Sequence, residues 1–99
     1  MGKFILTANF KIIPGFEEEL KKATIALATE TRKETGSELF LIHTRNDSPQ
    51  TIFFYEIYQS EEAFQQHKAY DYTERYLELL KGRIEDDKLE VVFLTTLDN

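Results

Sequence analysis

The sequence predicts an α+β fold of the ferredoxin-like βαββαβ kind, in which one four-stranded antiparallel sheet carries two helices on one of its faces. Residues 3–13 alternate apolar side chains with a period of two, which indicates a strand. Residues 16–35 repeat apolar side chains at helical spacing. Two β-rich segments, a second helical segment and a last apolar segment follow in the order that this fold requires.

The first strand is expected to end at Pro14-Gly15, because proline cannot donate to a strand ladder and the pair favours a turn. The helix that follows carries three glutamates in its first turn, where negative charge suits the positive end of the helix dipole. We expect Gly36 to follow its last turn as a left-handed residue. Arg32 and Lys33 should complement the dipole at that end.

The middle of the chain predicts an antiparallel hairpin. Residues 38–45 and 51–58 are rich in large apolar side chains, and residues 46–49 between them have turn chemistry. Glu56 lies in the more apolar of these strands, and a buried carboxylate needs a partner. That partner is expected to be Arg45 across the hairpin or a basic residue of another subunit.

The last third predicts a helix followed by a strand. Ser60 is a candidate N-cap, since its hydroxyl can accept a hydrogen bond from the first helical turn. We expect a break near Asp71, a helical continuation over residues 73–83, and a final strand over residues 89–97.

Both faces of the predicted strands are apolar, although the helices can cover only one of them. An uncovered apolar face usually marks an association surface, and a symmetric pair of subunits is the simplest way to cover it. We therefore expect a homodimer that packs sheet on sheet. The alternation is clearest in one strand, where Phe53, Tyr55 and Ile57 alternate with Ile52, Phe54 and Tyr58.

Composition excludes several classes of protein. The 99 residues fit one domain over residues 1–99. There is no cysteine, so disulfides, thiol chemistry and cysteine-bound metals are excluded. The 12 basic residues are scattered among 18 acidic ones, which argues against nucleic acid as a partner. No apolar run is long enough for a membrane span. The cytoplasm is the expected location.

Several landmarks of the chain together resemble the antibiotic biosynthesis monooxygenase family, a branch of the dimeric α+β barrel superfamily. The resemblance extends from Phe4 to Leu97, and its most specific part is the segment that begins the second helix. The landmarks, in order, are residues 13–15, 16–20, 34–37, 47–49, 54–58 and 60–67.

The resemblance implies a homodimer whose two sheets build a barrel, with a pocket between the sheet and the helices of each subunit. It implies a monooxygenase that oxidises a small phenol or quinol with O₂, without metal, flavin or another cofactor. The haem-degrading branch is disfavoured, because residues 76–80 lack the histidine that it places there. The alternatives are an isomerase or signal-processing enzyme of the same fold, and a non-catalytic dimeric protein that binds a small molecule.

Three polar residues are the candidate catalytic groups. His67 matches the family segment and is expected to take the proton of a phenol, or else to anchor its helix to the sheet. His43 is a second acid–base candidate, or a histidine of the dimer interface. Asn9 could hold a substrate oxygen, or bond a neighbouring backbone. Two histidines without a third ligand make a poor metal site. The expected substrate-binding side chains are aromatic: Tyr58, Phe64, Tyr72 and Tyr76.

Overall fold

The computed structural model describes residues 2–98, and it confirms the ferredoxin-like order within them. The sheet has the strand order β2-β3-β1-β4, and each neighbouring pair is antiparallel. A short 3₁₀ turn precedes the last strand. The elements are β1 (Phe4–Lys11), α1 (Glu17–Thr31), β2 (Ser37–Arg45), β3 (Ser48–Tyr58), α2 (Glu61–Ala69), α3 (Asp71–Leu80) and β4 (Glu90–Leu94).

The end of α1 differs from the prediction, and so does the role of Gly36. The helix ends at Thr31, and the described glycines with positive φ are Gly15 and Gly82. Gly36 is instead required by a close approach, because a Cβ on it would lie 2.5 Å from the Cβ of Ala63 on α2. The prediction of a left-handed Gly36 was therefore wrong. What this position needs is the absence of a side chain.

The hairpin is confirmed, with a turn shorter than predicted. Asn46 and Asp47 alone form it, so Ser48 and Pro49 already belong to β3. Arg45 donates to Asp47, with 2.9 Å between its Nε and Oδ1. This pair holds the pKa of the Asp47 carboxyl below its usual range. Arg45 is thus not the partner of Glu56, which accepts a hydrogen bond from Tyr58 instead, and the expectation of an Arg45 pair was wrong.

The second helical region is divided in two, as the predicted break required. The backbone of Tyr70 is extended (φ −66°, ψ 142°) and separates α2 from α3. Ser60 caps α2 as predicted, since its hydroxyl accepts a hydrogen bond from the backbone N–H of Ala63 at 3.2 Å. No helix within residues 2–98 is long and apolar enough to cross a membrane.

The three helices pack on one face of the sheet, and the main core lies between them. The alternation of the strands directs Leu6, Phe10 and Phe54 towards this core. The opposite face of the sheet has no helix over it among the described residues. Leu41 and Val92 are exposed apolar side chains on that uncovered face.

Candidate functional site

A cavity of about 110 Å³ lies between the helix-covered face of the sheet and helices α2 and α3. Its walls are largely apolar, with side chains from every strand and from α2 and α3. Lys68, Leu77 and Val91 are exposed lining residues and mark its open side. The other lining residues are Leu6, Ala8, Leu27, Phe40, Phe54, Glu56, Phe64, His67, Thr73, Tyr76 and Leu89. A small cavity with a few polar groups in an apolar wall is typical of a small-molecule site.

His67 is held by a carboxylate from the connection between α1 and β2. Its Nδ1 lies 3.0 Å from Oε2 of Glu34, and the two side chains are only 6% and 7% exposed. A carboxylate can only accept a hydrogen bond, so Nδ1 carries the proton. Nε2 makes no hydrogen bond within the described part of the chain. It is therefore the ring nitrogen that remains available as a base, and His67 lines the cavity.

Tyr72 completes this cluster. Its hydroxyl donates to the same Oε2 of Glu34 that binds His67. Burial and the bond to Glu34 raise the pKa of the Tyr72 phenol, so that it stays a donor. Oε2 of Glu34 therefore accepts hydrogen bonds from both His67 and Tyr72. These two bonds fix the orientation of the carboxylate relative to the imidazole ring.

Glu56 is the carboxyl among the residues that line the cavity. It lies on the core-facing side of β3, is 6% exposed, and accepts a hydrogen bond of 2.6 Å from the Tyr58 hydroxyl. Burial raises the pKa of Glu56 to about 7, with the negative charge of Glu34 adding to the rise and the Tyr58 bond opposing it. Burial, and then Glu56, raise the pKa of Tyr58 well above its usual value. Glu56 can therefore change its protonation state near neutral pH.

Two residues with hydroxyl groups also line the cavity, and only one of these hydroxyls has a hydrogen-bond partner within residues 2–98. The Tyr76 hydroxyl is paired with the Thr24 hydroxyl at 2.6 Å. Thr73 Oγ1 is buried and has no hydrogen-bond partner among the described residues. The ammonium group of Lys68 lies 5.0 Å from the centre of the Phe64 ring, beside the opening.

The structure brings some of the predicted site residues together and separates others. His67, Phe64 and Tyr76 line the cavity. Tyr58 and Tyr72 lie behind this lining and contact it through the two carboxylates, Glu56 and Glu34.

Asn9 and His43 lie on the other face of the sheet. Both are register partners of Phe53, so the three form one row across β1, β3 and β2, and they line a shallow depression on the uncovered face. His43 Nδ1 lies 3.0 Å from the carbonyl oxygen of Phe53. The sheet therefore separates Asn9 and His43 from His67. Catalytic roles for these two residues remain predictions, but one site cannot contain all three within one subunit.

Sequence reasoning missed Glu34 and Thr73 and undervalued Glu56 as a site residue. Glu34 stands in one of the segments that carry the family resemblance, which was the available signal. Glu56 is a charged residue in an apolar strand, and its position in the alternation places it on the face of Phe54. Within residues 2–98 no three His, Asp or Glu side chains are grouped as ligands for a metal ion.

Comparison with known proteins gives a family and several similar folds. The family model described as antibiotic biosynthesis monooxygenase matches residues 3–79. No curated protein matches the chain significantly. A solved structure from Shewanella oneidensis has a TM-score of 0.86 and 25% identity, and covers 93% of this chain and 88% of that one.

Two further solved structures agree in fold at lower identity. A protein from Mycobacterium tuberculosis has a TM-score of 0.91 and 21% identity, with 99% of this chain and 98% of that one covered. A candidate antibiotic biosynthesis monooxygenase from Nitrosomonas europaea has a TM-score of 0.89 and 18% identity, with 97% and 91% covered. At such identities the likeness concerns the fold alone.

Proposed function

Since the chain belongs to the antibiotic biosynthesis monooxygenase family, we propose that it is a cofactor-independent monooxygenase that oxidises a small phenol or quinol with O₂. The observation that carries the proposal is the Glu34–His67 pair at the wall of an apolar cavity. A proton acceptor that a buried carboxylate orients is a recurring device for activating a weakly acidic hydroxyl.

In the proposed reaction the substrate ring lies in the cavity with its hydroxyl at His67. Nε2 takes the phenolic proton, and Glu34 stabilises the imidazolium that forms. The negative charge of the phenolate spreads onto a ring carbon, which transfers electrons to O₂ and forms a C–O bond. The resulting hydroperoxide loses water and leaves a quinone. One oxygen atom enters the product, and the other leaves as water with the two hydrogens that the phenol has lost.

The apolar wall supports this chemistry in a second way. A phenolate in water is stabilised by hydration, whereas in this cavity its charge faces the imidazolium and few other polar groups. The substrate supplies all four electrons for the reduction of O₂, two when the hydroperoxide forms and two when it loses water. The enzyme's own contribution is thus to remove the proton and to exclude water from the ring carbon that reacts.

A second candidate function is an isomerase of the same fold, and Glu56 is the observation that favours it. An isomerisation by proton transfer needs an acid and a base at one substrate. Glu56, whose pKa is raised to about 7, and His67 line the same cavity. Such a reaction would consume no O₂, which separates the two candidates.

We also propose that two subunits associate through the uncovered face of the sheet. Leu41, Val92 and Leu94 are exposed apolar side chains on that face. Together with the half-buried Tyr55 and Ile57 they make a surface of the kind that partner subunits cover. In such a pair, Asn9 and His43 would lie at the interface.

The decisive experiment is an O₂-uptake assay with a panel of phenols and quinols, in which His67→Gln is compared with the unaltered protein. Loss of a general base is expected to lower the rate by about 10²–10⁴-fold. Turnover at the same rate without O₂ would refute the monooxygenase and favour the isomerase. An unchanged rate in His67→Gln would refute the assignment of the base.

Two more variants test on which face of the sheet the site lies and what role Glu34 has. His43→Gln makes the same substitution on the opposite face of the sheet. An equal loss of rate in this variant would indicate that the active site lies on the uncovered face. Glu34→Gln should lower kcat and leave KM nearly unchanged, because Glu34 orients the base and does not contact the substrate. A change in KM alone would contradict this positioning role.

A further inference from the structure

Thr73 is a buried hydroxyl without a partner, which is unusual in this protein. The residue is 4% exposed and its Oγ1 has no hydrogen-bond partner within residues 2–98. Buried polar groups are nearly always satisfied, since an unsatisfied one loses its hydration without compensation. Thr73 Oγ1 is the one such side-chain atom among the described residues. It also lines the cavity.

The backbone explains why Thr73 lacks the usual partner of a helical threonine. Thr24, Thr29 and Thr31 on α1 each donate to the carbonyl oxygen four residues earlier, at 2.7, 3.1 and 2.8 Å. For Thr73 that residue is Ala69, which lies in α2, beyond the extended residue Tyr70.

The carbonyl oxygen of Tyr70, three residues before Thr73, is also unable to accept from the Thr73 hydroxyl. The backbone N–H groups of Thr73 and Glu74 both donate to the carbonyl of Tyr70, at 3.0 Å each. Both acceptor positions of that oxygen are thereby used. The interruption between α2 and α3 therefore leaves a hydroxyl at the cavity wall that no part of the fold satisfies.

We propose that Thr73 binds the ligand of this cavity through its hydroxyl. The ligand is a single-ring compound with a hydroxyl or carbonyl oxygen, and Thr73 donates to that oxygen or accepts from it. The inference rests on the proposed function in one respect only, namely that the cavity is the substrate site. It assigns a specificity-determining role to a residue that takes no part in the proton transfer.

The chemistry of the wall supports this class of ligand. Apolar cavities on the order of 150 Å³ hold one benzene ring, so a cavity of about 110 Å³ with one open side fits a single ring. The Tyr76 hydroxyl is already paired with Thr24, and the Tyr58 hydroxyl with Glu56. Thr73 is therefore the hydroxyl of the wall that can distinguish an oxygen-bearing ring from a plain hydrocarbon ring.

The test is a binding measurement without O₂, so that no turnover is needed. Phenol and toluene have similar shapes and differ in the hydroxyl, and their dissociation constants can be measured by NMR titration. In Thr73→Val, which keeps the shape of the side chain, phenol should bind about tenfold more weakly relative to toluene. Thr73→Ser keeps the hydroxyl and should preserve the ratio of the unaltered protein.

The unfolding temperature of Thr73→Val shows whether a change in affinity comes from the lost hydroxyl or from misfolding. Thr73→Val removes an unsatisfied buried hydroxyl, so without ligand it should unfold at the same or a higher temperature than the unaltered protein. A clearly lower unfolding temperature would mean that the hydroxyl has a partner in the fold, and would overturn the proposal. An unchanged ratio of phenol to toluene affinity would also overturn it, as would the absence of saturable phenol binding.

The test of Thr73 and the test of the monooxygenase can give different results. If the unaltered protein binds phenol through Thr73 but oxidises no phenol or quinol, the binding role holds and the monooxygenase fails. If oxidation occurs and Thr73→Val leaves the phenol affinity unchanged, the monooxygenase holds and the binding role fails.

Discussion

Replacement of Glu56 by glutamine should make the stability of the protein less dependent on pH. Burial raises the pKa of Glu56 from 4.5 to about 7. Below the lower value Glu56 is protonated in the folded and the unfolded chain, so it adds no cost. As pH rises between the two values, the unfolded chain releases this proton while the folded protein retains it, and the free energy of unfolding falls. Above the higher value the cost stays constant.

The magnitude follows from the two pKa values. At about 1.4 kcal/mol for each pH unit between 4.5 and about 7, the ionisation of Glu56 costs the folded state roughly 3 kcal/mol. Glutamine keeps the side-chain length and can still accept from Tyr58, but it cannot ionise. Glu56→Gln should therefore gain roughly 3 kcal/mol relative to the unaltered protein between about pH 4 and about pH 8.

The assay is thermal unfolding of both proteins at several pH values and one protein concentration. For a domain of this length 1 kcal/mol shifts Tm by about 4–8 °C, so the difference in Tm should grow by more than about 10 °C across the range. Glu74→Gln removes an exposed carboxyl and serves as the matched control, with a nearly constant difference. A constant difference for Glu56→Gln as well would refute the claim that burial keeps this carboxyl protonated.

Two further predictions concern packing and association. Gly36→Ala should destabilise the fold by about 1–3 kcal/mol, because the new Cβ would lie 2.5 Å from Ala63, and adding Ala63→Gly should restore most of the loss in denaturant titrations. No recovery in the double variant would locate the strain elsewhere. If the proposed dimer forms, Leu41→Lys should shift it to monomer in sedimentation experiments, whereas Ile25→Lys, a change at a still more exposed apolar residue on α1, should not. Equal behaviour of these two variants would contradict association through the sheet.

Most of the fold could be predicted because its signals are local. The alternation of residues 3–13, the Pro14-Gly15 pair and the Ser60 cap each concern a few neighbouring residues, and each is present in the structure. Gly36 shows the limit of such signals. A glycine after a helix is commonly left-handed, but here the requirement comes from Ala63 on another helix, which is distant along the chain.

The candidate site could be predicted only in part, for the same reason. Phe64 and His67 share one face of the second helix by their spacing, and together with Tyr76 of the helix after the break they line the cavity. Asn9 and His43, the other two catalytic candidates, lie on the opposite face of the sheet, as the strand alternation requires. The carboxylate that holds His67 lies 33 residues away in the sequence, and no spacing rule relates the two positions.

The order of the elements, the family and the alternation of strand residues between two faces could all be inferred from the amino-acid sequence alone. Periodicity indicates the elements and the alternation, because the period of a helix or strand is a property of the local backbone. The family follows instead from the resemblance of several segments. Which buried polar groups meet is visible only in the folded protein. It pairs Glu34 with His67 and Glu56 with Tyr58, and it leaves Thr73 without a partner at the cavity. Such pairings depend on how separate elements pack, and packing joins residues that no local pattern connects.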